Sequence, residues 1–238
     1  MRTVNRLEKV YQNACCIDFD DSSKFVFFSD IHRGDDGLSD DFGRNKHIYN
    51  FALSDYYKKG FTYVEVGDGD ELLERPKFEH IRNAHASTFN RLKRFYDDGR
   101  FYMLFGNHNI KFADPEKVKD TLYRVYDEYE GEYVDLFPGI TVYEALILVH
   151  SETGQKIFVV HGHQGDLFND QLAPLTHFGI RFFWRFMHLV GFRYAASPAK
   201  SRRKRHKVEK NYTKWNKDHG EIIICGHTHR PRFPRPEE

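Results

Sequence analysis

Three apolar runs, at 24–29 (KFVFFS), 61–66 (FTYVEV) and 101–105 (FYMLF), have the length and β-branched or aromatic content of buried strands. Between them, 45–59 and 77–98 carry apolar residues at helical period and predict two amphipathic helices. Strand, helix, strand, helix, strand predicts a parallel sheet with crossover helices. Loops at the carboxyl ends of such strands are the expected home of a site. Ahead of the sheet, Leu7, Val10, Tyr11 and Ala14 share helical spacing and predict a docking helix over 4–15.

The second half changes character. Runs at 140–149 and 156–161 are β-rich and flank Ser151-Glu152-Thr153-Gly154, which predicts a hairpin in a second sheet, and 222–225 predicts a further strand. From His163 to Asp218 there is no strand signal: 178–194 is aromatic and basic, and 200–210 is strongly basic. We expect two helices parted near 195–198, forming a lid at 164–218 inserted into a single domain spanning 1–238. Phe178, Phe182, Phe183, Phe186, Leu189 and Val190 share one helical face broken by Arg181, Arg185 and His188. That face suits a lid buried on the domain, or an interfacial helix which, with the basic run, contacts an anionic membrane surface through 178–210. A basic run alone is a weak sign of nucleic acid, which is not the expected partner.

Composition narrows the classes. Charged residues are 30% of the 238 but sum to +1, so any electrostatic function is local. Cys15, Cys16 and Cys225 have no CxxC spacing, which argues against a disulfide framework or a thiolate zinc site and fits a reducing cytoplasm. Residues 1–21 lack an apolar signal core, and no apolar stretch is long enough to span a bilayer, so the expectation is a soluble or membrane-peripheral protein.

The candidate chemistry lies in five short clusters, each closing an apolar run: Asp30-Ile31-His32, Gly67-Asp68-Gly69-Asp70-Glu71, Gly106-Asn107-His108-Asn109, His161-Gly162-His163 and Gly226-His227-Thr228-His229. Asp30 and His32 follow a strand, and an extended chain directs side chains two apart to the same side, so both can reach one cation. The same spacing joins His227 and His229. Asp68 has the carboxylate that bridges two cations, while Glu71 suits a supporting hydrogen bond better than a metal. Asn107 offers a neutral oxygen donor. Taken singly, Asp-x-His reads as a solvated turn and His161 as a satisfied core histidine. Taken together, the ligand types after successive strands point to divalent metals.

The order DIH, GDGDE, GNHN, HGH, GHTH resembles the calcineurin-like metallophosphoesterase superfamily from residue 24 to about 232. The resemblance implies an α/β fold, a four-layer α/β/β/α sandwich with an inserted helical cap. It implies one metal held by Asp30, His32, Asp68 and His229, and another by Asp68, Asn107, His161 and His227, with Asp68 bridging. Two divalent ions roughly 3.5 to 4 Å apart then activate a shared water to hydroxide for in-line attack on phosphorus. Manganese is the first expectation, with iron, zinc and nickel also suited to these donors. His108 resembles the histidine that protonates the leaving oxygen or stabilises charge on it. Asn109 stands where the motif usually has Asp, which predicts weaker support for that acid.

Arg33 offers a planar fork for substrate phosphate, with a solvated arginine as the alternative, and His163 and Arg230 are further substrate-binding candidates. The insert's placement is similar to that of the UDP-2,3-diacylglucosamine pyrophosphatase branch, although His163 replaces an Asp there. Past GHTH the superfamily continues with further strands, which this sequence does not show. The expected activity is hydrolysis of a phosphoester or pyrophosphate bond in a phosphorylated small-molecule, nucleotide-linked or lipid-linked substrate. The alternatives are a Ser/Thr protein phosphatase and, in another class, a catalytically weakened, metal-binding, membrane-associated adaptor.

Overall fold

The computed structural model describes residues 3–37, 40, 42–164 and 202–229, with side chains of the last stretch described from 206 onward. The first sheet contains β2 (Phe25–Phe28), β3 (Thr62–Val66), β4 (Phe101–Leu104) and β7 (Val142–Tyr143), in that order and wholly parallel. Its crossovers are α2 (Lys46–Lys58) and the pair α3 (Phe78–Ala84) and α4 (Ala86–Asp97). Both α2 and α4 stop at a glycine in the left-handed region, Gly60 and Gly99, that returns the chain to the next strand. The backbone N–H of Phe61 bonds Tyr56 O and that of Gly60 bonds Tyr57 O; Arg100 to Phe95 and Gly99 to Tyr96 repeat the pattern, a glycine C-cap that satisfies otherwise free helical carbonyls.

The second sheet has the order β1 (Cys15–Phe19), β8 (Ala145–His150), β9 (Lys156–Val160) and β10 (Ile222–Cys225). Its outer pairs are parallel and its central pair, β8 with β9, is the expected hairpin. Val64, Val66 and Leu104 of the first sheet meet Leu146, Leu148 and Val159 of the second in a buried layer. The outer face of the first sheet buries Tyr63, Phe101 and Met103 against Leu53, Leu92 and Phe95 of the helices. The outer face of the second buries Ile147 and Phe158 against Leu7 and Val10 of α1 (Thr3–Gln12) and Tyr212 and Trp215 of a long helix, Arg202–His219. Helices, sheet, sheet, helices is the four-layer arrangement, and it is set by apolar runs buried on both faces.

Several expectations change. The predicted helix over 4–15 ends at Gln12, and Cys15–Phe19 is a strand whose exposure alternates along CCIDF; it pairs with β8, far away in sequence. The single helix over 77–98 breaks at His85, which is fully buried and hydrogen-bonds Asp40 through Nε2 at 2.8 Å. The run at 140–149 serves both sheets, with Glu144 between β7 and β8. An antiparallel ribbon, β5 (Arg124–Asp127) with β6 (Glu132–Asp135), was not predicted; it is a mostly polar pair that buries Val125. The long helix Arg202–His219 begins within the span assigned to the lid and ends one residue past it, and its Trp215 is completely buried against the second sheet. The rest of the expected lid, 165–201, lies outside the described residues, as do the aromatic face at 178–190 and Arg230. Among the described residues no helix is long and apolar enough to cross a membrane.

Candidate metal centre

The five turns meet at one end of the two sheets. The 29–33 turn runs alongside the 66–71 turn and prolongs the parallel pairing of β2 with β3: Asp30 N bonds Gly67 O at 3.2 Å, His32 N bonds Asp68 O at 2.9 Å and Arg33 N bonds Gly69 O at 2.9 Å. The chain is not extended there. Asp30, His32, Asp68, His227 and His229 all adopt left-handed φ between 49° and 67°, and among the described residues Asp36 is the one other non-glycine residue to do so. Each such residue costs on the order of 1–3 kcal/mol and persists only where its surroundings enforce it, and such strain gathers at functional sites. The i, i+2 convergence of Asp30 with His32, and of His227 with His229, therefore comes from left-handed turns and not from the strand alternation expected of the sequence.

Glycines allow the turns to touch. A Cβ on Gly106 would lie 2.2 Å from Asp68 Oδ1, and one on Gly226 would lie 2.3 Å from Asp30 Oδ2. No larger residue fits at either position without displacing a candidate ligand.

Three groups of such atoms result among these turns, each with its atoms within 4.8 Å of one another: first Asp30, His32 and His229, second Asp68, His161 and His227, and third His32, Glu71 and His108. In the first, His229 Nε2 is 3.0 Å from Asp30 Oδ1 and His32 Nε2 is 4.0 Å away. In the second, His161 Nε2 is 3.1 Å from Asp68 Oδ2, at hydrogen-bond length but without a hydrogen bond's alignment. Asn107 is buried, and its Oδ1 has no partner.

The remaining atoms of these side chains are occupied in the way ligation requires. Asp30 Oδ2 accepts from the Ser29 hydroxyl and from His227 N, leaving Oδ1 free of hydrogen bonds. Asp68 Oδ1 accepts from His108 N at 2.8 Å. His161 Nδ1 donates to Val66 O at 2.8 Å, and His32 Nδ1 lies 3.0 Å from Glu71 Oε2, so each ring keeps Nε2 available. Buried polar atoms are almost always hydrogen-bonded. Asp30 Oδ1, Asn107 Oδ1, His161 Nε2 and His227 Nε2 are not, and they are the atoms that divalent ions would take.

The electrostatics agree. Burial favours the neutral form of both carboxyls, but His229 and His161 hold Asp30, and His161 and His108 hold Asp68, below the usual carboxylate range. Burial also lowers His161, yet the charges of Asp68 and Asp30 raise it to about 9, a measure of the negative potential at Nε2. His227 is pushed down to about 3 by burial and by His161, so it is neutral and able to ligate.

His108 sits beside the first group, its ring 4.5 Å from that of His32. Its Nδ1 meets Glu71 Oε2 at 2.7 Å. Burial lowers its pKa, but Glu71 and then Asp68 raise it to about 10, so the ring is a cation at neutral pH. The expectation that Asn109 governs this histidine is corrected: Asn109 Oδ1 accepts from Gly106 N at 2.6 Å inside its own turn, and the carboxylate supporting His108 is Glu71. Arg33 needs a correction too. It is fully buried, with Glu65 and Asp70 on its guanidinium, and so is not available to substrate. His163 is also buried, and neither ring nitrogen has a partner among the described residues. Its ring lies 5.4 Å from that of His161, beside the second group.

The sequence matches the calcineurin-like phosphoesterase family over residues 23–231. The chain belongs to that family. It is therefore a phosphoesterase, a hydrolase of a family that uses divalent metals. Comparison with curated proteins and with solved structures gave no match.

Proposed function

We propose that this phosphoesterase works with two divalent ions. One would be held by Asp30, His32, Asp68 and His229, the other by Asp68, Asn107, His161 and His227. The observation that carries the reading is the pair of adjacent ligand groups in which Asp30 Oδ1, His161 Nε2 and His227 Nε2 are buried without hydrogen-bond partners, beside the similarly unpartnered Asn107 Oδ1. When bound, such ions supply Lewis-acid polarisation of phosphoryl oxygens and an activated water. In the hydrolysis, water adds to phosphorus as the bond to the leaving oxygen breaks. His108 is the proton donor to that oxygen: its Nδ1 is taken by Glu71, which leaves Nε2 as the donating atom. Asp68 Oδ1, by accepting from His108 N, fixes the backbone that carries this ring.

Manganese is our first choice among the ions this mixed oxygen and nitrogen donor set accepts. For substrate we propose a small phosphoester or pyrophosphate, nucleotide- or lipid-linked. The aromatic and basic stretch at 178–194, between the fourth and fifth motifs, supports that choice. The test is to strip the purified protein of metal, reload it with manganese, iron, zinc or nickel, and count bound equivalents. An aryl phosphate, an aryl phosphodiester and a nucleotide pyrophosphate are then assayed. Two equivalents and metal-dependent turnover are expected; a single equivalent refutes the two-ion reading, and two equivalents without turnover on any substrate favour the adaptor.

A further inference from the structure

Beside the first ligand group lies a cluster of buried charges that the proposed chemistry does not use. Arg33 directly follows His32 and, like Glu65 and Asp70, is completely buried. Its Nη1 and Nη2 donate to the two oxygens of Glu65 at 2.8 Å, and its Nε donates to Asp70 Oδ1 at 2.7 Å. Its guanidinium stands 5.0 Å from the centre of the Phe89 ring, and the Tyr63 hydroxyl donates to Glu65 Oε2 at 3.1 Å. Removing three charges from water is costly, and ion clusters of this kind add little stability over apolar packing. A contribution to stability is therefore a poor reason for this one. What it does supply is geometry, because a planar fork facing two carboxylates accepts few arrangements.

That geometry reaches the reacting groups through one turn. Arg33 N bonds Gly69 O, and Glu71 N bonds Arg33 O at 3.0 Å, so Arg33 is tied by its backbone to the residues on both sides of Asp70 and by its side chain to Asp70 itself. Gly69 makes room for this: a Cβ there would lie 1.9 Å from Glu65 Oε1 and 2.6 Å from Arg33 Nη2. Glu71 follows immediately, and its carboxylate meets Nδ1 of both His32 and His108.

We propose that Arg33 is a positioning residue: with Glu65 and Asp70 it clamps the 67–71 turn against the 30–33 turn, and so holds Glu71 where it orients His32 and His108. The inference rests on the hydrolytic reading for its effect on turnover, but not for its effect on metal binding.

Arg33→Lys keeps the charge and cannot span both carboxylates. With folding checked by circular dichroism, and all measurements well below the melting temperature, manganese affinity should fall about tenfold, because losing a group that orients a metal ligand typically costs 10- to 100-fold. On an aryl phosphate kcat should fall by a similar factor while KM changes less than about twofold. A folded R33K protein with wild-type manganese affinity and kcat overturns the proposal, since a merely structural arginine would move the melting temperature alone. Should R33K not fold, Asp70→Asn, which leaves the Arg33–Glu65 pair intact, is held to the same thresholds. If neither variant folds, the cluster is structural and the proposal fails. A wild-type protein that binds manganese and hydrolyses nothing refutes the hydrolytic reading alone, because the affinity comparison still decides the role of Arg33.

Discussion

The turns of the parallel sheet and those of the mixed sheet supply similar numbers of candidate ligands and hold them differently. Asp30, His32, Asp68 and Asn107 come from the parallel sheet, and their turns are laced to one another: Asp30 N to Gly67 O, His32 N to Asp68 O, and His108 N to Asp68 Oδ1. His161, His227 and His229 come from the mixed sheet, and each is tied to a group of the other half. His161 Nδ1 donates to Val66 O, His227 N donates to Asp30 Oδ2, and His229 Nε2 sits 3.0 Å from Asp30 Oδ1. The mixed-sheet turns are joined to each other by Gly226 N to His161 O at 2.8 Å, but their candidate ligands are fixed by groups of the first half, with Asp30 as the main point of attachment.

The strongest way to break this asymmetry is Asp30→Ala, which removes a candidate ligand and also releases His227 and His229. Loss of several kcal/mol of metal-based charge stabilisation corresponds to a fall in kcat/KM of about a thousandfold. Structures of the variant should show the 226–229 turn displaced and the 67–71 turn unchanged; displacement of both turns alike would mean that the halves are mutually dependent.

Next is Glu71→Gln, confined to the first half. It removes the charge that most raises His108 and an acceptor for the His32 ring, so a fall in kcat of about 10- to 100-fold is expected. The protonated acid persists until pH rises through the His108 pKa. Removing a lifting charge lowers that pKa, so the basic limb of the pH–kcat profile should move to lower pH. A basic limb that stays in place would show that His108 is not the acid.

Smaller effects should follow metal chelation, read by amide hydrogen exchange. The amides of His227 and Thr228 are expected to exchange faster in the stripped protein, while those of His32, Arg33 and Glu71, bonded within the first half, keep their protection. Equal loss in both turns would remove the distinction between the halves. The smallest effect is assigned to Asn109→Asp. Because Asn109 bonds Gly106 and not His108, turnover of aryl and alkyl phosphates should change by the same factor, within about twofold. A selective gain on alkyl phosphates would restore Asn109 as a modulator of the acid.

Much of this was legible along the chain. Runs such as TYVEV and KIFVV are buried on both faces over most of their length, so their apolar content announces strands whatever they pair with, and the polar clusters that end them mark the site. Cys15–Phe19 was not legible, because CCIDF alternates only weakly and becomes a strand by pairing with β8, more than a hundred residues away. The ribbon at 124–135 hid for a similar reason: Tyr126 and Tyr133 meet across it at 5.4 Å but stay exposed, so little burial patterns its sequence. Within the site, candidate ligands were readable as residue types, whereas the partners of Arg33 and His108 were not. A charged side chain after DIH has the same sequence signature whether it faces solvent, phosphate or a buried Glu65.

By itself the sequence determined the two-sheet α/β plan and the set of residues able to ligate metal, since burial periodicity and donor chemistry are local properties of the chain. Only the tertiary structure decided how those residues are used: which strand closes the second sheet, that the ligand turns are left-handed, that Arg33 faces inward, and that Glu71 and not Asn109 supports His108. The physical reason is that these outcomes depend on which buried charges and unpaired donors come together from distant turns. The cost of leaving such groups unpartnered is set by their surroundings in the fold.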